Sequence, residues 1–192
     1  MKTLSRTFFR RPPEQVAPDL LGKLLVRELG GQLLIGRIVE TEAYLAEDDD
    51  AAHASRGKTA ANSSLFLDGG HAYVHRIHTY YCLDAVCQTQ NAGGSVLIRA
   101  LEPIQGIEAM KKLRNKQGLM DLTTGPGKLC MAFGIDKSLD GIDLTRNDSP
   151  LRICDANSSG KFAVEISRRI GISKSTEFEL RYALSESKFV SR

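Results

Sequence analysis

Apolar residues recur along this chain with two spacings, which outline most of its elements. After Pro12 and Pro13, the residues Val16, Ala17, Leu20 and Leu21 keep to one helical face until Gly22. This predicts a short helix whose pattern Pro18 interrupts. Period-two alternation then takes over. Residues 23–29 read as a strand, Gly30-Gly31 as a hairpin turn, and residues 32–44 as a long return strand. On it Ile38, Glu40, Glu42 and Tyr44 are expected on one face and Val39, Thr41 and Ala43 on the other. Residues 47–64 form a long polar loop, a length often tied to function. Asp68-Gly69-Gly70 turns into an aromatic hairpin over 72–86, and Asn91-Ala92-Gly93-Gly94 into an apolar strand over 95–101. A helix is expected from Pro103, with Ile104, Ile107, Met110 and Leu113 three apart and Lys111, Lys112 and Arg114 outward. Gly125-Pro126-Gly127 opens a further short helix reaching Phe133 and closed by Gly134, and strands are expected at 161–167 and 177–184. Strands outnumber helices and the hairpins demand antiparallel pairing, so the fold class is α+β.

Length and composition narrow the class further. A chain of 192 residues with 42% apolar and 26% charged residues buries a core without staples, and is not disordered. Its apolar runs, such as Leu33-Leu34-Ile35, stop well short of a membrane span, so no membrane partner is expected. The first eleven residues carry four basic side chains and no apolar run, unlike a secretory signal. Cys82, Cys87, Cys130 and Cys154 make no CxxC pair and read as reduced thiols, Cys154 as a core residue. Charge is distributed unevenly. Glu40, Glu42, Glu47, Asp48, Asp49 and Asp50 are clustered, so all 26 Lys and Arg lie outside this run against 17 of the 23 acids. A basic surface with one acidic locus suits a polyanion such as nucleic acid.

Four constellations carry candidate chemistry. Glu40 and Glu42 on one strand face would stand roughly 6.5–7 Å apart. That spacing allows one carboxylate to act as acid while the other positions water; two glutamates at a solvated strand end would look the same. His71, His75 and His78, with Cys82 beyond, would share a face on a helix and could hold zinc. On the strand that Tyr73, Val74, Ile77 and Tyr80 favour, His78 points away, and the segment becomes an aromatic surface for stacking bases. Gly125-Pro126-Gly127-Lys128 at a helix start suits a phosphate or an ordinary turn, and lacks the first glycine and the hydroxyl residue of a Walker A loop. Arg99, closing the apolar run Val96-Leu97-Ile98, requires an acid or a phosphate as partner.

Taken together, several segments resemble the alkyladenine (3-methyladenine) DNA glycosylase family. They are residues 36–44 (Gly-Arg-Ile-Val-Glu-Thr-Glu-Ala-Tyr), 50–53 (Asp-Ala-Ala-His), 96–103 (Val-Leu-Ile-Arg-Ala-Leu-Glu-Pro), 124–129 (Thr-Gly-Pro-Gly-Lys-Leu) and 169–172 (Arg-Ile-Gly-Ile). They keep the family's order from about residue 15 onward. The resemblance implies one domain over residues 1–192, with a curved, mostly antiparallel sheet, short flanking helices and a protruding hairpin. A strand pattern after the last motif fits a complete domain. It also implies a monomeric enzyme, without metal or cofactor, that removes alkylated or deaminated purines from double-stranded DNA by hydrolysis. Candidate substrates are 3-methyladenine, hypoxanthine and ethenoadenine. The expected location is cytoplasmic with the nucleoid in a bacterium, nuclear in a eukaryote.

Residue by residue, the resemblance makes Glu42 the water-activating group and Glu40 a structural neighbour, with Arg99 helping to hold water and carboxylate. Tyr44 matches one wall of the base pocket, His75 the opposite wall, His53 a contact to the base edge, and Ile170 the residue whose backbone seats the water. His78 or Tyr80 matches the plug that fills the gap left by the flipped nucleotide, and Gly127 and Lys128 match a phosphate-contacting turn. Three departures stand out. Ala61 replaces the usual arginine before Asn62, His75 and His78 replace tyrosines, and Asp84 replaces an asparagine thought to exclude guanine. Asp84 is therefore expected to admit guanine-derived lesions by accepting from their amine. A module that recognises damaged DNA without cutting it, and a zinc hydrolase built on the histidines, are the competing readings.

Overall fold

The computed structural model describes residues 1–156 and 162–191. One sheet dominates it. Helices α1 (Arg6–Phe9) and α2 (Pro13–Leu20) lead into β1 (Leu24–Leu29) and β2 (Gln32–Tyr44), followed by the hairpin β3 (Ala72–Ile77) and β4 (Tyr80–Val86). Then come β5 (Ser95–Gln105), α3 (Ile107–Arg114), α4 (Met120–Thr123), α5 (Pro126–Ala132), β6 (Leu151–Cys154), β7 (Val164–Ser167) and β8 (Arg181–Leu184). The sheet order is β3-β4-β5-β2-β1-β6, with β8 also on β2 and β7 on β8. Every strand pairing is antiparallel. This is the α+β fold expected, as a curled sheet with short helices.

The long strand β2 organises the sheet. Along one edge, its first half pairs with β1 from Gln32 to Arg37 and its second half with β8 from Glu40 to Glu42. Along the other edge β5 follows from Ile35 to Tyr44, and the register slips beside Gly36 and on both sides of Glu40. An extra residue in one strand of a ladder bends it and deepens its twist, so the sheet curls where β2 changes partner. The two shifts at Glu40 cancel, since Ile38 opposite Leu101 and Thr41 opposite Ile98 keep one register. Residues 38–43 are all buried, with Ile38 and Val39 in the apolar core. The sheet packs on α2 through Val16, Ala17 and Leu20, and on α5 through Leu129, Cys130 and Ala132. Thr41 Oγ1 donates to the carbonyl of Ala17 at 2.9 Å, closing the polar gap between sheet and helix. All four cysteines are free and buried, Cys154 among them.

Several boundaries differ from the sequence reading. The strand expected to end at Leu101 runs through Pro103 to Gln105, and the helix begins after Gly106 rather than at Pro103. Gly106 takes φ 79°, and only Met110 on that helix is buried, while Ile104 and Leu113 lie on the surface. Pro103 sits where it costs no essential ladder bond, so pairing with β2 overrides its usual role as a helix opener. The strand expected over 177–184 shortens to Arg181–Leu184 and that over 161–167 to Val164–Ser167, residue 161 lying outside the described residues. The polar loop contains two 3-10 turns, His53–Arg56 and Ser63–Phe66. Asn62 ties it together: its Oδ1 accepts from Thr59 N (2.6 Å) and its Nδ2 donates to the carbonyls of Gly57 (3.0 Å) and His53 (3.3 Å). Among the described residues, no helix is long and apolar enough to cross a membrane.

Gly106 provides a test of this architecture. A Cβ there would stand 2.4 Å from Leu34 Cδ2 and 2.8 Å from the Leu33 carbonyl, at a φ that side chains avoid. Gly106→Ala is expected to lose about 1–3 kcal/mol of stability in urea unfolding; an unchanged midpoint would contradict the placement of this turn.

Candidate active site

The end of β2 brings two carboxylates inside. Glu40 and Glu42 are both wholly buried, as the bulged strand and the β8 pairing leave no route to solvent. Isolated charges in such a place are untenable, so donors must converge on them. Arg99, across the ladder on β5, serves both: Nε lies 3.2 Å from Glu40 Oε1 and Nη1 3.3 Å from Glu42 Oε1. Of the two partners open to Arg99 from sequence, an acid or a phosphate, the structure supplies acids. Glu40 also accepts from Arg181 Nε at 2.7 Å. Glu42 accepts the backbone N–H of Ile170 on Oε1 (2.8 Å) and the Tyr44 hydroxyl on Oε2 (3.1 Å). Burial raises the Glu42 carboxyl above its ordinary value, and nearby Glu40 adds to this; Arg99, the Ile170 amide and Tyr44 pull the other way without cancelling it.

In front of Glu42 lies a cavity of about 320 Å³, lined by Tyr44, His53, His75, Asp84, Arg99 and Ile170 among others. Seven residues singled out from sequence thus meet in one place, with Glu42 one hydrogen bond behind the lining. Tyr44 stands at the end of β2, where its burial and the charge of Glu42 push its phenol up, so it remains a hydroxyl donor. The opposite wall comes from β3, whose period of two sends Tyr73, His75 and Ile77 to the cavity. The Tyr73 and His75 rings stack at 4.8 Å, and His53 meets His75 edge-on at 4.5 Å. His53 Nδ1 is 2.8 Å from the Tyr73 hydroxyl. Burial, then the proximity of His75, lowers the His53 pKa and keeps this imidazole neutral. Asp84 holds one oxygen 3.2 Å from His75 Nε2 and accepts the Ser95 hydroxyl on the other at 2.7 Å. Cys82 also faces the cavity; burial pushes its thiol up to about 12, too high for a nucleophile at neutral pH.

The remaining residues singled out from sequence lie at the rim. His78 forms the tip of the β3–β4 hairpin with φ 52°, and Tyr80 is half exposed on the returning strand. A Cβ on Gly127 would be 2.9 Å from Tyr80 Cβ, so the glycine lets the hairpin settle against the first turn of α5. Lys128 is exposed, with Nζ 3.2 Å from Thr124 Oγ1. The three histidines do not converge: His71 Nδ1 bonds the Asp68 carbonyl, His75 is in the cavity and His78 is at the tip. Among the described residues, no group of three His, Cys, Asp or Glu side chains is disposed to hold a metal.

Sequence reasoning missed the clamp behind Tyr44. Arg169 and Asp49, both buried, pair at 2.6 and 2.8 Å, and the guanidinium also lies 4.7 Å from the Tyr44 ring centre. Burial opposes the charge of Asp49, but Arg169 and the N–H groups of Leu45 and Ala51 outweigh it and hold the carboxyl below its usual value. Asp49 was hidden within an acidic run that looked like solvated surface. Arg169 had no signal beyond its place in a motif. Tyr73 was findable, since period two puts it on the face of His75.

The raised carboxyl has a consequence for stability. A proton bound more tightly in the folded state stabilises at low pH, and that stability is lost as pH rises from the ordinary glutamate value through the raised one. Glu42→Gln is therefore expected to melt higher than the parent at pH 7, with a gap that closes below the ordinary glutamate value. Equal Tm at pH 7 in thermal unfolding would contradict the raised carboxyl.

Comparison with known proteins agrees with this geometry. The family model described as methylpurine-DNA glycosylase matches residues 7–188. A protein of Koribacter versatilis, provisionally named a 3-methyladenine DNA glycosylase, is 44% identical, covering 98% of this chain and 92% of its own length. Proteins of the same provisional name from Methanoculleus marisnigri and Clostridium perfringens are 41% and 40% identical, the first over 99% of both chains and the second over 98% of both. With a buried glutamate beside an aromatic cavity, and this similarity along nearly its whole length, the chain belongs to the methylpurine-DNA glycosylase family, monofunctional hydrolases of N-glycosyl bonds.

Proposed function

We propose that this enzyme takes an alkylated or deaminated purine nucleotide out of duplex DNA, into the cavity between Tyr44 and His75, and that Glu42 activates the water that releases the base. The observation that carries this reading is the buried Glu42 carboxylate held at the cavity by Arg99, Tyr44 and the Ile170 amide. A carboxylate offers about four acceptor positions. Three are taken by these donors, which leaves one for water.

A base inside the helix is stacked and its glycosidic bond is out of reach, so extrusion comes first. Tyr44 and His75 then sandwich the purine. With Nδ1 of neutral His53 accepting from Tyr73, its Nε2–H is free to donate to the base edge. Ionised Glu42 takes a proton as the water oxygen bonds to C1′. The C1′–N bond breaks with its electron pair going to the base, and the carboxylate stabilises the charge growing on the sugar. A cationic 3-methyladenine leaves without further protonation, whereas a neutral hypoxanthine takes up a proton. At the rim, exposed Ile77 flanks the cavity and His78 stands at the tip, so these two fill the space left by the extruded nucleotide. Tyr80, turned onto Gly127, braces the hairpin, and Lys128 meets phosphate. The enzyme acts as a monomer, wherever the genome of its cell resides.

Duplex oligonucleotides with a single 3-methyladenine, hypoxanthine or ethenoadenine test the reading, scored for breakage after hot alkali. The parent is expected to release at least one of these bases in the presence of chelator, and Glu42→Gln to lose at least about 100-fold in single-turnover rate. Because the base works ionised and its pKa is raised, the rate should climb with pH along a limb lying above the ordinary glutamate value. Tight lesion binding without release by the parent would replace this reading with a recognition module.

Asp84 supports a finer reading of substrate choice. Its two oxygens each have one donor and retain acceptor capacity toward the cavity, which suits the exocyclic amine of guanine. Asp84→Asn is expected to lower the ratio of 7-methylguanine to 3-methyladenine release by about tenfold, the worth of one hydrogen bond to a charged group. An unchanged ratio would remove Asp84 from substrate choice.

A further inference from the structure

Glu40 is more heavily bonded than its catalytic neighbour. Besides Arg99 and Arg181, it is met twice by Ser191, a residue 151 positions further along the chain. The Ser191 N–H reaches Oε2 at 2.7 Å and its hydroxyl reaches Oε1 at 2.9 Å. That hydroxyl also lies 3.3 Å from Arg99 Nε, which donates to it. A hydroxyl has one proton to give and lone pairs to receive, so Ser191 can accept from Arg99 while donating to Glu40. It is buried at 7% exposure, and no water is needed to complete the arrangement.

We propose that Ser191 is a positioning residue for the reaction: by bridging Arg99 and Glu40 it fixes the guanidinium so that its Nη1 stays on Glu42. The proposal rests on the reading of Glu42 as the group that activates water. Arg99 has two carboxylates to choose between. Its Nε contact to Glu40 at 3.2 Å and its Nη1 contact to Glu42 at 3.3 Å are both long for charged pairs, as expected for a guanidinium held between two claims. The donors that Ser191 gives Glu40 reduce its demand on Arg99. Without the hydroxyl, Glu40 draws the guanidinium toward itself and Nη1 leaves Glu42. Catalytic groups tolerate shifts of only about 0.5 Å, so the loss falls on the chemical step. It also changes titration, since the charge of Glu40 raises the Glu42 carboxyl and that of Arg99 lowers it. The charged groups facing Glu42 are Arg99 from β5, Glu40 from its own strand and Arg169 beside Tyr44; Arg181, opposite Glu42 in the β2–β8 ladder, gives its Nε to Glu40.

Ser191→Ala is the test, with Ser191→Thr to restore the hydroxyl and Ser149→Ala as a control. Ser149 is buried to the same 7% and its hydroxyl bonds only the Leu151 carbonyl, at 2.8 Å, on strand β6 at the sheet edge. Single-turnover release of hypoxanthine by Ser191→Ala is expected to fall about tenfold, with affinity for abasic-site duplex within twofold of the parent. The acid limb of its pH profile should move to higher pH, and Ser191→Thr should return both rate and limb toward the parent. Ser149→Ala should melt lower without moving the limb. An unmoved limb in Ser191→Ala, or a rate loss no larger than that of the control, overturns the proposal. Activity retained by Glu42→Gln would instead defeat the reading of Glu42, leaving the effect of Ser191 on Arg99 to be read from the alanine variant's own profile. If Ser191→Ala does not fold, a Ser191→Thr enzyme with the parental limb supports the proposal and a shifted limb overturns it.

Discussion

Two carboxylates buried two residues apart on one strand set the terms for everything around them. Neither can stay charged without donors, and the nearest strand contributes one guanidinium that must serve both. The rest of the architecture supplies what Arg99 alone cannot. The bulges beside Glu40 bend β2 so that β8 can bring Arg181, and the segment after β7 returns to present the Ile170 amide. The charge balance remains imperfect at Glu42, whose carboxyl stays raised by burial, while Glu40 is surrounded on both oxygens. The two acids are thus unequal: Glu40 accepts on both oxygens from Arg99, Arg181 and Ser191, whereas Glu42 Oε2 accepts from the Tyr44 hydroxyl.

The cavity walls follow a similar logic of fixed rings and restricted protons. Tyr44 is backed by Arg169, itself immobilised by Asp49, and cannot tilt away from the cavity without breaking a buried ion pair. Opposite, Tyr73, His75 and His53 brace one another through stacking and an edge contact. Rings held this way present flat faces to the cavity with little side-chain freedom left to lose on binding. The imidazole of His75 offers a smaller face than a phenol would but brings hydrogen-bonding nitrogens, one of them 3.2 Å from Asp84 Oδ1.

Much of this was legible in the sequence, and the failures have identifiable causes. Turn glycines and alternating strands gave the hairpins, since those patterns reflect local sterics. The residues around the cavity could be named because short motifs placed them in order, and β3 periodicity carries His75 inward. What could not be read is what arises from tertiary pairing. No local rule says that Pro103 will be drawn into a ladder with β2, or that the register will slip at Glu40. Asp49 was indistinguishable from the solvated acids beside it, because burial by Arg169 comes from 120 residues away. The two-glutamate spacing suggested a pair of equals, whereas the donors that make them unequal lie on β5, β8 and beyond.

The wide spread of those donors along the chain affects how the enzyme comes into being. Residues 40, 42, 99, 170, 181 and 191 must all be in place before the carboxylate cluster is neutralised. Such distant contacts have high contact order, so loop-closure entropy is spent before they form and they are completed late in folding. A chain leaving the ribosome can build the β1–β2 and β3–β4 hairpins early, yet it cannot assemble a competent centre until the segments after β7 have emerged. A partly synthesised or partly unfolded molecule would hold the flat aromatic surface without the ordered acid behind it. In such a species Glu42 lacks the Ile170 amide that holds it, so the ordered carboxylate is confined to the fully folded chain.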